Sequence, residues 1–208
     1  QSLTLAEKAG DAILEASIQI GMASMLEQQG NLTEAEAFAR QSYRLYQELA
    51  DAQGMAYSLE VLGHIAFGQD DLAGARDAYE RSLALYRSGG NRWGMTKGLN
   101  NLGNVTYRQG DRAAAYVYYA ESLTQCIEIG NRRGIAIRLN NLANLAYVDR
   151  EMVKARENFE KSLALCYEIG DRQGIADATT ALGDVSLALG DFDEAFRRYD
   201  RSLAVCRG

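Results

Sequence analysis

The side chains that could carry out chemistry in this 208-residue chain are few. His64 is its only histidine, Cys126, Cys166 and Cys206 stand forty residues apart, and carboxylates pair at Asp70-Asp71 and at Asp191 with Asp193. Catalysis needs titratable groups that converge on one pocket. His64 stands alone in a polar stripe, one residue after Gly63, and the carboxylate pairs fall at turns, where they read as helix caps. No second Cys or His lies at metal-ligand spacing from any cysteine, and no glycine loop leads into a Gly-Lys-Ser/Thr phosphate cradle. The chain is therefore expected to be no enzyme, with no metal and no cofactor.

Amides are better supplied. Leu99-Asn100-Asn101-Leu102-Gly103-Asn104 returns forty residues later as Leu139-Asn140-Asn141-Leu142-Ala143-Asn144. An amide both donates and accepts, which is what a peptide backbone asks of a partner whatever its side chains. Asparagine in a helix costs a few tenths of a kcal/mol relative to alanine, so stability alone does not explain three in five residues, twice over. Tyr107, Arg108 and Tyr147 extend the stripe, His64 holds it one repeat earlier, and Lys97 and Arg138 lie beside it.

The elements that position these residues repeat with a period of forty. Ser2, Ser42, Ser82, Ser122, Ser162 and Ser202 are in phase, as are Ala35, Ala75, Ala115, Ala155 and Ala195. Aromatics recur at Tyr79, Tyr119, Phe159 and Tyr199, with Ala39 in the first unit. A fixed period of this length marks a stacked array, in which each repeat touches only its neighbours. In the unit 91–130, Asn91 is a good N-cap, Leu99, Leu102, Val105 and Thr106 fall at helical spacing, and Gly110-Asp111 ends the helix. This predicts one helix over about 92–108 and a second over about 112–129. Gly10-Asp11, Ala50-Asp51, Gly90-Asn91, Gly130-Asn131 and Gly170-Asp171 separate the units; the inner turn at Arg150-Glu151 lacks a glycine and is expected to be less sharply defined. The units are 11–50, 51–90, 91–130, 131–170 and 171–208, with 1–10 as the remnant of a preceding repeat. Gln1 opens the chain without a methionine, and Leu203, Val205 and Cys206 keep the buried pattern to the end, so the sequence reads as a piece of a longer array.

The pattern Leu62-Gly63, Ala75, Tyr79, Ser82 and its copies resembles the tetratricopeptide repeat over essentially all of the chain. The period is forty where the standard unit has 34, and the customary proline is missing. In this the chain is similar to kinesin-light-chain-like and spindle-orientation scaffold proteins, and to sensor arrays attached to bacterial signal-transducing nucleoside-triphosphatases and transcription activators. The resemblance implies an all-α, right-handed superhelical solenoid of helix-turn-helix repeats whose first helices line a concave groove. It also implies that Asn100, Asn101, Asn104, Asn140, Asn141 and Asn144 grip an extended segment there. An alternative stays open, in which the asparagines bond between neighbouring repeats as a ladder.

Composition agrees with such an array. Proline is absent, where ordinary usage would give about ten, and 47% of residues are hydrophobic against 24% charged. Apolar residues recur every three or four positions and never run to eighteen, so no membrane span or signal peptide is expected and a soluble, cytoplasmic protein is. The net charge of −6 is uneven: residues 91–150 carry eight Lys and Arg against four Asp and Glu, a local +4. With Lys97, Arg108, Arg132, Arg133 and Arg138 near the groove, an acidic peptide or a chain terminus would suit the site. The acidic balance disfavours nucleic acid. The three cysteines, in the register of Tyr46 and Tyr86, are expected to form a buried column of free thiols, since stacked helices lie about 8–10 Å apart and a disulfide needs Cα atoms within about 7 Å. The expected function is non-catalytic binding of a protein or peptide segment. A sensor segment of a larger bacterial ATPase or transcription regulator, and a spacer that self-associates through its uncapped ends, are the alternatives.

Overall fold

A proline-free chain punctuated every twenty residues by glycine, aspartate or asparagine can only alternate helices with tight turns. The structure, a computed structural model, describes residues 2–207, with side chains from Gly10 to Cys206. Among the described residues there are ten helices and no strand: α1 (Ser2–Gln28), α2 (Leu32–Glu48), α3 (Ala52–Gly68), α4 (Leu72–Ser88), α5 (Arg92–Arg108), α6 (Arg112–Glu128), α7 (Arg132–Val148), α8 (Met152–Ile169), α9 (Arg172–Ala188) and α10 (Phe192–Arg207). No described helix is long and apolar enough to cross a membrane.

The turns share one mechanism. After α4, Gly90 takes φ +67, its N–H reaches Arg87 O at 3.2 Å and the Asn91 N–H reaches Tyr86 O at 2.9 Å, which satisfies the last carbonyls of the helix. Asn91 Oδ1 then accepts the Gly94 N–H at 2.9 Å to open α5. Asp51, Asp71, Asn131 and Asp171 cap in the same way.

Two expected features differ. Arg150 itself adopts φ 64, and the turn closes with Arg150 N–H to Tyr147 O at 3.1 Å and Glu151 N–H to Ala146 O at 2.8 Å. It is as sharply formed as the glycine turns, because the bonds come from backbone and the packing of α7 on α8 outweighs the roughly 1–2 kcal/mol that a side chain adds in the left-handed region. Gly10-Asp11 makes no turn: α1 runs straight through it. Gly10 is exposed with open space around it, and keeping a glycine inside a helix costs only about 1 kcal/mol. The phase position Ser2 lies outside the residues with described side chains.

The helices group into two compact units, Gln1–Asp111 and Arg112–Gly208. In the first, Ile20, Ala23, Ala35, Ala39, Val61 and Ile65 form a core cluster. Gly63 lies against the ring of Tyr79, so closely that a Cβ would come within 2.5 Å of it. In the second, Phe159, Leu163, Cys166, Ile175, Leu182 and Val185 pack with Ala143 and Ala155. The serines in phase are clamps between the two helices of a hairpin: Ser42, Ser82, Ser162 and Ser202 donate to the carbonyls of Ala16, Ala56, Ala136 and Ala176 at 2.7–3.0 Å. Cys126 and Cys166 are buried free thiols, but Cys206 is exposed. Leu203 beside it is exposed too, since among the described residues no later helix covers that face of α10.

Candidate functional site

The polar stripe lies on the first helices of the hairpins, and each unit presents its own part of it. In the first unit side chains of α3 and the turn after it meet those of α5 at positions 37–38 residues apart. Glu60, buried on α3, accepts the Tyr86 hydroxyl at 2.9 Å and faces Lys97 Nζ of α5 at 3.4 Å. One turn on, the Asn101 amide lies 3.1 Å from His64 Nε2, and His64 meets the Tyr79 ring edge-on at 5.6 Å. Burial pulls the His64 imidazole below its ordinary pKa of 6.5 against the opposing pull of Glu60 and Glu27, so the ring is neutral and accepts from the amide. At the helix ends Arg108 donates to Asp70 at 2.6 Å and lies over the Phe67 ring, 4.9 Å from its centroid. Asn100 and Asn104 are half-buried and engaged as well; Tyr107 is exposed. Within this unit the stripe is bridged between repeats at Glu60–Lys97 and at His64–Asn101.

In the second unit α7 and α9 carry the stripe. Asn141 is engaged, and Tyr147 packs half-buried against the core. Asn140 is half-buried, Asn144 is exposed, and among the described residues neither makes a side-chain hydrogen bond. On α9, Asp184 stands in the register of Asn144 and accepts the Tyr199 hydroxyl at 2.7 Å, a bond that pushes the phenol pKa up to about 12. A cavity of about 170 Å³ opens among α7, α8 and α9, lined by Ile137, Asn140, Ser162, Cys166, Gly174 and Asp177. Burial pushes the Cys166 thiol pKa up, so it is a protonated wall group rather than a nucleophile.

Two expectations about the basic residues are corrected. Arg138 is not at the mouth of the stripe: it is 5% exposed and its Nε donates to Ser122 Oγ at 2.9 Å. Its register is held elsewhere by Ser58, Gly98 and Ala178, all buried, so the position faces inward whatever residue fills it. The local excess of positive charge is also largely matched. Lys97 faces Glu60, Arg108 faces Asp70, Arg112 faces Asp149 at 2.8 Å, Arg132 pairs with Glu168, and Arg133 lies 3.3 Å from Asp171. Four of these five acids sit outside 91–150, and Glu60, Asp70 and Asp171 belong to neighbouring repeats. Among the described residues no cluster of three or more His, Cys, Asp or Glu could hold a metal ion.

One tetratricopeptide repeat family model matches residues 14–88 and 135–208, and a second matches residues 98–128. The chain belongs to the tetratricopeptide repeat family. No curated protein matches it in sequence. Solved tetratricopeptide arrays resemble it in fold. BtubC (BKLC) from P. vanneervenii is 22% identical with a TM-score of 0.79, over 97% of this chain and 89% of that one. The Rap conjugation gene regulator of the plasmid pLS20, solved in complex with the Phr* peptide, is 14% identical with a TM-score of 0.79, over 97% of this chain and 56% of that one. A Signal Transduction ATPase with Numerous Domains protein with a tetratricopeptide repeat sensor, from Pyrococcus horikoshii, is 17% identical with a TM-score of 0.81, over 95% of this chain and 31% of that one. Tetratricopeptide hairpins explain the small residue at Gly63 and the aromatic at Tyr79 as one packed pair. They leave Asn140 and Asn144 of α7 unexplained.

Proposed function

We propose that the hairpins act as one array that binds an extended protein segment along its first helices without catalysis. The observation that carries the reading is the pair Asn140 and Asn144. Two asparagines on one helix face, each less favourable than alanine there, make no side-chain bond among the described residues and so offer donors and acceptors to a backbone laid across them. The Rap regulator solved in complex with the Phr* peptide supports the reading, since a protein of similar fold binds a peptide. Because Lys97, Arg108, Arg132 and Arg133 already face acids, recognition rests on the main chain of the segment, and an acidic partner is no longer favoured. The test is selection of peptides from a displayed random library by the full chain, followed by Asn140→Ala with Asn144→Ala. Affinity should fall at least tenfold while thermal stability holds or rises slightly. Unchanged affinity, or a collapse in stability, would overturn the proposal.

A second reading has its own observation. On α10 Phe192 and Phe196 are 69% and 74% exposed, and on α1 Ile13, Leu14 and Ile18 are exposed as well; apolar faces of this kind favour self-association. Sedimentation over a concentration series tests it: a monomer at every concentration removes it, and Phe196→Ser should reduce any oligomer found.

A further inference from the structure

One register of the repeat is filled by side chains of two very different sizes. Tyr46 and Tyr86 occupy it in the first unit, Cys126 and Cys166 in the second. Around Tyr86 the purpose of the register is plain. The ring lies flat against Gly94 of α5, where a Cβ would come within 2.4 Å of it, and its hydroxyl ends on Glu60 of α3 at 2.9 Å. Tyr46 lies against Gly54 in the same manner and its hydroxyl reaches Ser17 Oγ at 3.0 Å. The slot is thus a glycine wall, a ring and a polar stop.

Two repeats later the wall and the stop remain and the ring is gone. Eighty residues on from Gly94, Tyr86 and Glu60 stand Gly174, Cys166 and Asn140. The sulfur of Cys166 occupies only the root of the slot, where a Cβ on Gly174 would meet it at 2.5 Å. Beyond it lies the cavity of about 170 Å³ bounded by these same three residues. An apolar cavity of about 150 Å³ accepts a benzene molecule, so the space matches one six-membered ring. The mouth is open beside Ile137, which is 42% exposed.

The polar groups around the slot differ in what they have left to offer. Ser162 donates to Ala136 O, Asp171 accepts the Gly174 N–H and faces Arg133, and Asp177 accepts from Gln173. Asn140, at the position of the stop, makes no side-chain bond among the described residues. A ring entering along Gly174 would carry a para substituent toward that amide, as the Tyr86 ring carries its hydroxyl to Glu60.

We infer that this slot receives a tyrosine side chain of the bound protein segment, the ring against Gly174 and Cys166 and the hydroxyl on Asn140. The inference rests on the proposed segment binding and adds the residue that the segment must present. A phenylalanine would fill the ring space and leave Asn140 unmatched, and a tryptophan exceeds it. Asp171 and Asp177 at the wall disfavour a phosphorylated tyrosine by charge.

N-acetyl-tyrosinamide, N-acetyl-phenylalaninamide and N-acetyl-phosphotyrosinamide are suitable probes, titrated into the full chain with amide and methyl NMR shifts as readout. Saturable shifts centred on Ile137, Asn140 and Gly174 are expected for the tyrosine probe at millimolar concentration. The phenylalanine probe should bind several-fold more weakly and the phosphorylated one not at all. Cys166→Tyr, which refills the slot from within, should abolish the response and weaken tyrosine-bearing selected peptides at least tenfold. Should that variant fail to fold, Asn140→Ala decides instead, since it should bring the tyrosine and phenylalanine probes to parity. Shifts scattered over the surface, or a tyrosine preference that survives Asn140→Ala, would overturn the inference. Selected peptides that need Asn140 and Asn144, lack tyrosine and tolerate Cys166→Tyr would also overturn it while leaving segment binding intact. Saturable binding of the tyrosine probe with no peptide captured at all would overturn segment binding, and with it the assignment of the slot to a side chain of a segment.

Discussion

The pair α3 and α5 in the first unit and the pair α7 and α9 in the second are built on one register, and they spend it differently. In the first pair Tyr86 fills the slot, Glu60 holds both the phenol and Lys97, and His64 bonds Asn101. In the second pair the slot holds only a thiol, and among the described residues Asn140 and Asn144 reach no side-chain partner. The difference teaches that in this fold a stripe residue is committed to its neighbour or left without a side-chain partner by the size and charge of the residue beside it, with the backbone unchanged.

The largest effect should come from making the first pair like the second. Tyr86→Cys removes a buried ring and leaves Glu60, itself buried, with one partner fewer. Truncation of large aromatics costs about 3–5 kcal/mol, and a loss of about 3 kcal/mol in urea denaturation is the expected result. The variant should also bind p-cresol in the vacated space and recover part of that stability. A loss under about 1 kcal/mol would show that the ring does not hold the first unit together, and the contrast would lose its basis.

The serine clamps should behave alike in both pairs. Ser82→Ala and Ser162→Ala each remove one buried hydroxyl that donates to a carbonyl of the partner helix, and each should cost about 1 kcal/mol. A large disparity would mean that the hairpins, and not only their stripes, differ between the units.

Titration should separate the two regions by a smaller margin. The folded state holds His64 below its unfolded pKa of 6.5, chiefly by burial. Below pH 6.5 the unfolded chain therefore takes up a proton that the native chain refuses, and stability falls as pH drops toward the folded value. Glu60 and Glu27 moderate the effect and Lys97 adds to it. The second unit holds no histidine. Amide exchange of α3 and α5 should therefore quicken between pH 7 and pH 5 more than that of α7 and α9 beyond the intrinsic pH trend, and His64→Gln should remove the excess. An excess that persists in His64→Gln would assign it to other groups.

What could be read in the sequence was what acts locally. The forty-residue phase, the caps at Asn91 and Asp171 and the bounds of α5 follow from short-range chemistry, and the structure has them within a residue. Interactions between repeats were harder to read. The partner of Lys97 is Glu60 and that of Arg108 is Asp70, 37 and 38 positions away, so a charge count over 91–150 found an excess that the folded chain largely cancels. Arg138 read as a surface cation because of its charge, although the small residues at 58, 98 and 178 already marked its position as internal. The slot was visible as an alternation of Tyr46 and Tyr86 with Cys126 and Cys166, but as a column of thiols; what the pattern conceals is volume, which no residue in the register states by itself. Asn140 and Asn144 could not be told from Asn101 by type or spacing, since only the neighbour across the stripe decides whether an amide is used.

The smallest expected effects lie at the inner turns of the two hairpins, which share a feature that the stripes do not. Asp70 and Arg150 are equivalent positions, and both hold φ 64 with a side chain. Relieving a left-handed residue by glycine gains about 1–2 kcal/mol of strain, less about 0.4–1 kcal/mol for the added freedom of the unfolded chain. Arg150→Gly should therefore stabilise the second unit by about 0.5–1 kcal/mol. Asp70→Gly relieves the same strain but also removes the exposed partner of Arg108, an ion pair worth up to about 1 kcal/mol, so its gain should be smaller or absent. Equal gains at the two turns, read from the urea midpoints of the single variants, would show that the Arg108 pair adds no stability to the ladder, which would then rest on Glu60 and His64.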